Sequence, residues 1–175
     1  MSLYLKINIC DDLHMDKVDK IIEQWKSERP ELDVSSMALI GRFKRINQCL
    51  TVEMNKTFMA HGLNLATFDV LATLRRSGAP YALSPNDLIA STMVTSGTMT
   101  NRIDQLVKAG LVERIKNSND KRSVVVSLTH KGFAVIDPTL DEHVLTQKKL
   151  TSGLSQSDSE KLNALLVKFL SSVDG

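Results

Sequence analysis

Cysteine is scarce in this 175-residue chain: two occur, Cys10 and Cys49. A disulfide-stapled fold of this length uses more of them, and no C-x-x-C pair marks a zinc or redox site. Aromatic residues make up 5%, with a single tryptophan, and the few glycines and prolines form no low-complexity tract. No apolar run reaches the roughly 18 residues that suggest a membrane span. Nor does the chain open with the basic flank, apolar run and small-residue cleavage site of a secretory signal. The four histidines, His14, His61, His130 and His143, fall on separate segments without H-x-x-x-H spacing, and there is no glycine-rich phosphate loop. The chain therefore reads as a reduced, cytoplasmic protein that is not an enzyme and needs no metal or cofactor.

A strong excess of one charge is also missing, since the formal net charge is +2. Its distribution matters more than its total. Residues 1–34 carry five basic and eight acidic side chains, residues 35–83 six and two, residues 84–131 seven and four, and residues 132–175 four and six. The middle is basic and both ends are acidic, a pattern suited to a polyanion-facing centre with partner-facing ends.

What is present is organised around residues 84–129. Ser84 supplies an N-cap, Pro85 a first helical residue whose missing N–H costs nothing, and Asp87 a charge suited to the positive helix end. That short helix runs to about Ser91. A second opens at Thr95 or Ser96, puts Met99, Ile103, Leu106 and Val107 on one face, and stops at Gly110. Its other face is Ser96, Gly97, Thr100, Asn101, Asp104, Gln105 and Lys108. Alone, that face fits an ordinary solvated surface as well as a helix lying in a DNA major groove, where short hydroxyl and amide groups reach base edges. Residues 111–116 and 122–128 then read as two strands, with turn formers Asn117 to Lys121 between them and Lys116, Lys121 and Arg122 at the tip. A basic hairpin directly after a polar-faced helix favours the DNA reading, because it can reach phosphates or the adjoining minor groove.

The run Asp120-Lys121-Arg122 through Leu128-Thr129, followed by Lys131-Gly132, resembles the D-x-R, LT and xKG wing signature of the MarR family of prokaryotic transcription regulators. Thr95 to Thr100 and Lys108 to Val112 likewise resemble that family's recognition helix and its exit into the wing, and the likeness extends from about Ser35 to the C-terminus. The resemblance implies a mostly α fold with a small β-wing: a winged helix-turn-helix plus a helical dimerisation region. It further implies a homodimer on a pseudo-palindromic operator in double-stranded DNA, usually a repressor released by a small aromatic or phenolic ligand. The DNA contacts expected are Ser96, Thr98, Thr100, Asn101, Arg102, Gln105, Asn119, Lys121 and Arg122, with Asp120 stabilising the wing and Arg102 placed between the two helix faces.

Four segments follow from the pattern: 1–34, an N-terminal extension with an amphipathic helix; 35–62, a long helix contributing to dimerisation; 63–129, the winged helix-turn-helix; and 130–175, C-terminal dimerisation helices. In the first, Val18, Ile21, Ile22 and Trp25 form one stripe that ends before Pro30. Ser35 or Ser36 caps the long helix, whose stripe is Leu39, Phe43, Ile46, Leu50, Met54 and Phe58, with Cys49 beside it, expected to be buried. Residues 65–77 form the next helix, with Arg75 and Arg76 at its negative end. Pro138 should kink or restart the helix after the wing. Leu162, Leu165, Leu166, Phe169 and Leu170 stripe the last helix. Ile21, Trp25, Leu162, Leu166, Phe169 and Leu170 are the expected dimer contacts. Arg42, Phe43, Asn47, Met54, Phe58, His61 and Phe68 are candidates to line an effector pocket, with apolar walls, an amide and an imidazole suited to a planar aromatic acid. Two alternatives stay open: redox control through Cys49, and constitutive DNA binding without a ligand.

Overall fold

Capping by acidic and amide side chains sets the start of several helices. The computed structural model describes residues 16–92, 96–116 and 123–174. Helix α1 (Lys17–Glu28) opens on Asp16, whose carboxylate accepts from the Val18 and Asp19 amides at 2.6 and 2.9 Å, while Asp19 accepts from the Asp16 amide at 3.0 Å. This reciprocal box satisfies donors that a first turn leaves open. Helix α2 (Ser35–Ala60) is capped differently from the expectation. Ser35 already lies within it, and its amide donates to the Asp33 carboxylate at 3.0 Å, a bond that holds that carboxyl below its ordinary range. A full negative charge serves the positive end of a helix better than a hydroxyl does. At the other end Gly62 takes φ +71°, and the amides of Gly62 and Leu63 return to the carbonyls of Met59 and Phe58 at 3.0 and 2.9 Å. That is a Schellman closure, which requires a left-handed residue at this point.

The chain divides into two compact units, residues 1–51 and 52–175, with the boundary inside α2. In the first, Val18 and Ile22 of α1 are buried together with Val34. Ile21 and Trp25, from the same expected stripe, remain 51% and 41% exposed. Arg42 donates to Asp16 at 2.9 Å and also bonds Asp19, tying α2 to the start of α1. Leu39, Ile40 and Ile46 are exposed, because the 12-residue α1 is much shorter than the 26-residue α2. Cys49 is exposed as well, against the expectation of burial, for it shares this uncovered stretch of helix.

The second unit contains the end of α2, then α3 (Leu65–Arg76), β1 (Ala82–Leu83), α4 (Pro85–Thr92), α5 (Ser96–Lys108), β2 (Val112–Lys116), β3 (Val124–Leu128), α6 (His130–Leu150) and α7 (Gln156–Val173). Its core joins Phe58, Phe68, Val70, Leu71 and Leu74 to Leu88 of α4, the inner face of α5, Val126 and Leu128 of β3, and Ile136 of α6. The strands form an antiparallel sheet in the order β1-β3-β2. The β2–β3 pairing from Val112↔Leu128 to Lys116↔Val124 is the expected ribbon. Strand β1 was not foreseen. Tyr81 turns with φ +57° and accepts from the Leu128 amide at 3.2 Å, which delivers Ala82 and Leu83 to the free edge of β3.

Helix α6 continues through Pro138 without a break, so the restart that proline could impose does not occur. Ile136 and Thr139 on either side are fully buried, and the Thr139 hydroxyl donates to the Val135 carbonyl at 2.6 Å. Burial on both sides outweighs the one lost backbone bond. Helix α7 is capped by Ser155, whose hydroxyl accepts from the Asp158 amide at 3.1 Å. Its stripe of Leu162, Leu165, Leu166, Phe169 and Leu170 lies open on the single chain.

Candidate nucleic-acid interface

Helix α4 is held by Ser84, which accepts from the Asp87 amide at 3.2 Å and donates to the Asp87 carboxylate at 2.7 Å. Leu88 anchors it in the core. In α5 the apolar spacing is realised as read: Met99, Ile103 and Leu106 are almost wholly buried and Val107 is half-buried. Gly97, Thr98, Thr100, Asn101, Asp104, Gln105 and Lys108 are exposed. The helix ends in a second Schellman closure, with Gly110 at φ +71° and the Leu111 amide returning to the Leu106 carbonyl at 3.0 Å.

The exit of α5 is tied to the start of α6. Thr129 donates its hydroxyl to the Gly110 carbonyl at 2.7 Å, accepts from the Gly132 amide at 2.9 Å, and bonds the Leu111 carbonyl through its own amide at 3.1 Å. Lys131 donates to the Ala109 carbonyl at 2.8 Å. A Cβ at Gly132 would lie 2.1 Å from the Leu111 carbonyl oxygen, so the residue at this joint has to be glycine. Thr129, Lys131 and Gly132 of the LT and xKG signature therefore fasten the recognition helix to the body.

Arg102 does not stand with the exposed residues. Only 17% of its side chain is accessible, and its Nη1 faces the Asp69 carboxylate of α3 at 4.0 Å, outside hydrogen-bonding distance. Burial raises the Asp69 carboxyl above its ordinary value, and Arg102, Arg76 and His143 oppose that rise. Asp120, expected to stabilise the wing, lies outside the described residues, as do the expected DNA contacts Asn119, Lys121 and Arg122 and the side chain of Ser96. Sequence reasoning also passed over Arg114, whose Nη2 donates to Asp104 at 2.6 Å. The signal available was the period-two pleat that puts Arg114 on the same face of β2 as buried Val112.

Of the residues expected to line an effector pocket, Arg42, Phe43 and Asn47 belong to the first unit, where Arg42 is engaged by Asp16 and Asp19. Met54, Phe58, His61 and Phe68 belong to the second. Phe58 and Phe68 stack with centroids 4.2 Å apart, and the His143 ring of α6 tilts against both at 5.2 and 4.9 Å. His61 Nε2 lies 3.0 Å from the Glu142 carboxylate without hydrogen-bond alignment. A cleft of about 670 Å³ opens between α3 and α6, lined by Phe68, Ala72, Arg75, Arg76, Asp137, Leu140, Asp141 and His143. Arg75 is held there by Asp137 at 2.7 Å and lies over the Tyr81 and Phe133 rings, while Arg76 donates to the Ser91 carbonyl at 3.1 Å. These contacts account for both arginines beyond the helix-end role. Desolvation lowers the His143 imidazole below its ordinary value, with Asp69 opposing.

Comparison with known proteins places this geometry. The sequence profile of the MarR family matches residues 61–123. The HTH-type transcriptional regulator PecS of Dickeya dadantii is 40% identical over 150 residues, 86% of this chain and 90% of that protein. A mutant of E. coli MarR complexed with operator DNA has a TM-score of 0.68 at 30% identity, covering 78% of this chain and 97% of that one. BpsR of Bordetella bronchiseptica, whose DNA binding is regulated by 6-hydroxynicotinic acid, has a TM-score of 0.64 at 25% identity over 74% of this chain and 90% of its own.

Proposed function

Because the chain belongs to the MarR family of DNA-binding transcription regulators, we propose that it acts in the cytoplasm as a homodimeric repressor on a pseudo-palindromic operator, released by a small planar aromatic or phenolic molecule. The observation that carries this reading is α5: Met99, Ile103 and Leu106 of its apolar stripe are sealed in the core while Thr100, Asn101 and Gln105 stand exposed. These are groups that read base edges in a major groove, with Asn101 and Gln105 suited to adenine. The open stripes of α1 and α7, including Ile21, Trp25, Leu162, Leu166 and Leu170, support burial against a second copy.

Release needs a ligand that binds the DNA-incompetent arrangement better than the competent one. The α3–α6 cleft offers an aromatic wall in Phe68 and His143, and its neighbour Asp69 faces Arg102 of α5. A molecule that spreads α3 from α6 there acts on the body that carries the recognition helix. Regulation of BpsR by a hydroxylated aromatic acid supports the ligand class. The test titrates the protein–DNA complex with hydroxylated aromatic acids and phenols. We expect release by one of them, lost in Ala72→Leu, which fills the cleft from an α3 position, while DNA binding is kept. Release by oxidant alone, prevented by Cys49→Ser, would replace the ligand by the exposed thiol, and no release by either makes the protein a constitutive binder.

A further inference from the structure

The polar face of α5 contains a group that should oppose DNA binding. Asp104 lies on it, three residues from Asn101 and four from Lys108, with 55% of its side chain exposed. A carboxylate there repels phosphates, yet it is not left alone. Arg114, from the edge strand β2, reaches across and donates from Nη2 to Asp104 Oδ1 at 2.6 Å, itself 42% exposed. The pleat explains the direction: Val112 points into the core, so Arg114 two residues later leaves β2 on the same side.

A guanidinium carries five N–H donors in a rigid plane, and a carboxylate that takes one of them fixes that plane without exhausting the rest. Arg114 stands where the recognition helix meets the root of the wing, between the elements assigned to the major groove and to the neighbouring minor groove. The strand of phosphates between those grooves has to pass this position. We propose that Arg114 is a DNA-backbone contact, a phosphate clamp whose orientation Asp104 sets and whose charge cancels Asp104's repulsion. The proposal rests on the DNA-binding reading and adds a contact between the base-reading helix and the wing tip.

The test uses the full chain and two duplexes of about 30 base pairs, one drawn from the DNA upstream of its own reading frame and one of mixed sequence. Affinity is measured over a range of salt concentrations for wild type, Arg114→Gln, and Arg114→Gln combined with Asp104→Asn, with thermal melting in parallel. Arg114→Gln should weaken both duplexes on the order of tenfold and reduce the slope of log affinity against log salt by about 0.9, the share of one phosphate. The decisive variant is the double one. If Arg114 merely neutralises Asp104, removing both restores wild-type affinity and overturns the proposal. A phosphate clamp predicts that affinity stays low and the slope stays reduced. Should Arg114→Gln fail to fold, Arg114→Lys replaces it: weakened affinity with an unchanged slope supports the clamp, and unchanged affinity overturns it. A wild-type protein without salt-dependent binding to either duplex would refute the DNA-binding reading itself, a result distinct from failure of the clamp.

Discussion

Gly132→Ala is the sharpest single test of how the recognition helix is held. The added methyl would sit 2.1 Å from the Leu111 carbonyl oxygen and 3.1 Å from Leu128 Cδ2. Carbon and carbonyl oxygen in close contact lie about 3.3–3.6 Å apart. Either α6 must retreat by about 1 Å or the Leu111 carbonyl must turn away, and turning away breaks its bond to the Thr129 amide. Overpacking of this kind costs about 1–3 kcal/mol. A backbone donor left unmatched adds about 1 kcal/mol. A loss of about 2–4 kcal/mol in a chain of this length lowers the melting temperature by roughly 5–15 °C. Circular dichroism melts of the two proteins check it. Because the same joint carries the Thr129 and Lys131 bonds to Gly110 and Ala109, operator affinity should also fall at a temperature where both proteins are fully folded. A Gly132→Ala protein that melts within about 2 °C of wild type and binds DNA normally would refute the account of the joint.

On the DNA face, Asn101→Ala should cost about 1–3 kcal/mol at its preferred base and little on unrelated sequence, while Arg122→Ala should weaken binding strongly with the fold intact. Competition assays with single-base operator variants measure the first, and direct titration the second; an unchanged affinity in either removes that contact. His143 gives a pH dependence. Its folded value is lowered by desolvation, so the unfolded chain binds the proton more readily. The stability that neutral His143 contributes is fully present above the unfolded value near 6.5 and is lost as pH falls from there through the lowered folded value. Denaturant melts between about pH 5 and 7.5 should show a shallower decline in His143→Gln than in wild type, and parallel curves would contradict the assignment.

How much of this was legible in the sequence depended on the range of the interaction concerned. The spacing of Met99, Ile103 and Leu106, the glycine stop at Gly110 and the Ser84–Asp87 cap are local patterns, and each was read correctly. Strand β1 was missed because two residues carry no periodicity. Its existence depends on the left-handed turn at Tyr81 and on a partner more than forty residues away. A restart at Pro138 was among the expectations because proline's local cost is visible in the sequence while the burial of Ile136 and Thr139 around it is not. Cys49 was placed inside because its helix has an apolar stripe, but burial requires a second surface, and among the described residues the first unit offers only the short α1. Arg102 was ambiguous for the same reason: nothing near it in sequence announces Asp69 of α3.

Those long-range groups decide what kind of motion release can use. Helix α5 faces α3 through Arg102 and Asp69, bonds β2 through Asp104 and Arg114, and is joined to α6 through the Ala109 and Gly110 carbonyls with Lys131 and Thr129. Its inner face is sealed in the core at Met99, Ile103 and Leu106. Sliding α5 alone would break several of these contacts at once and expose apolar surface, each methylene costing about 0.8 kcal/mol. A bound effector supplies a differential free energy of only about 1–3 kcal/mol in typical couplings. Such a ligand is too weak to dislodge the helix, but it is enough to favour one rigid placement of the winged-helix body over another. If an effector does release DNA, protection of the α5 amides from hydrogen exchange should therefore stay as high with ligand as without it. Loss of that protection on ligand binding would show that the helix itself lets go.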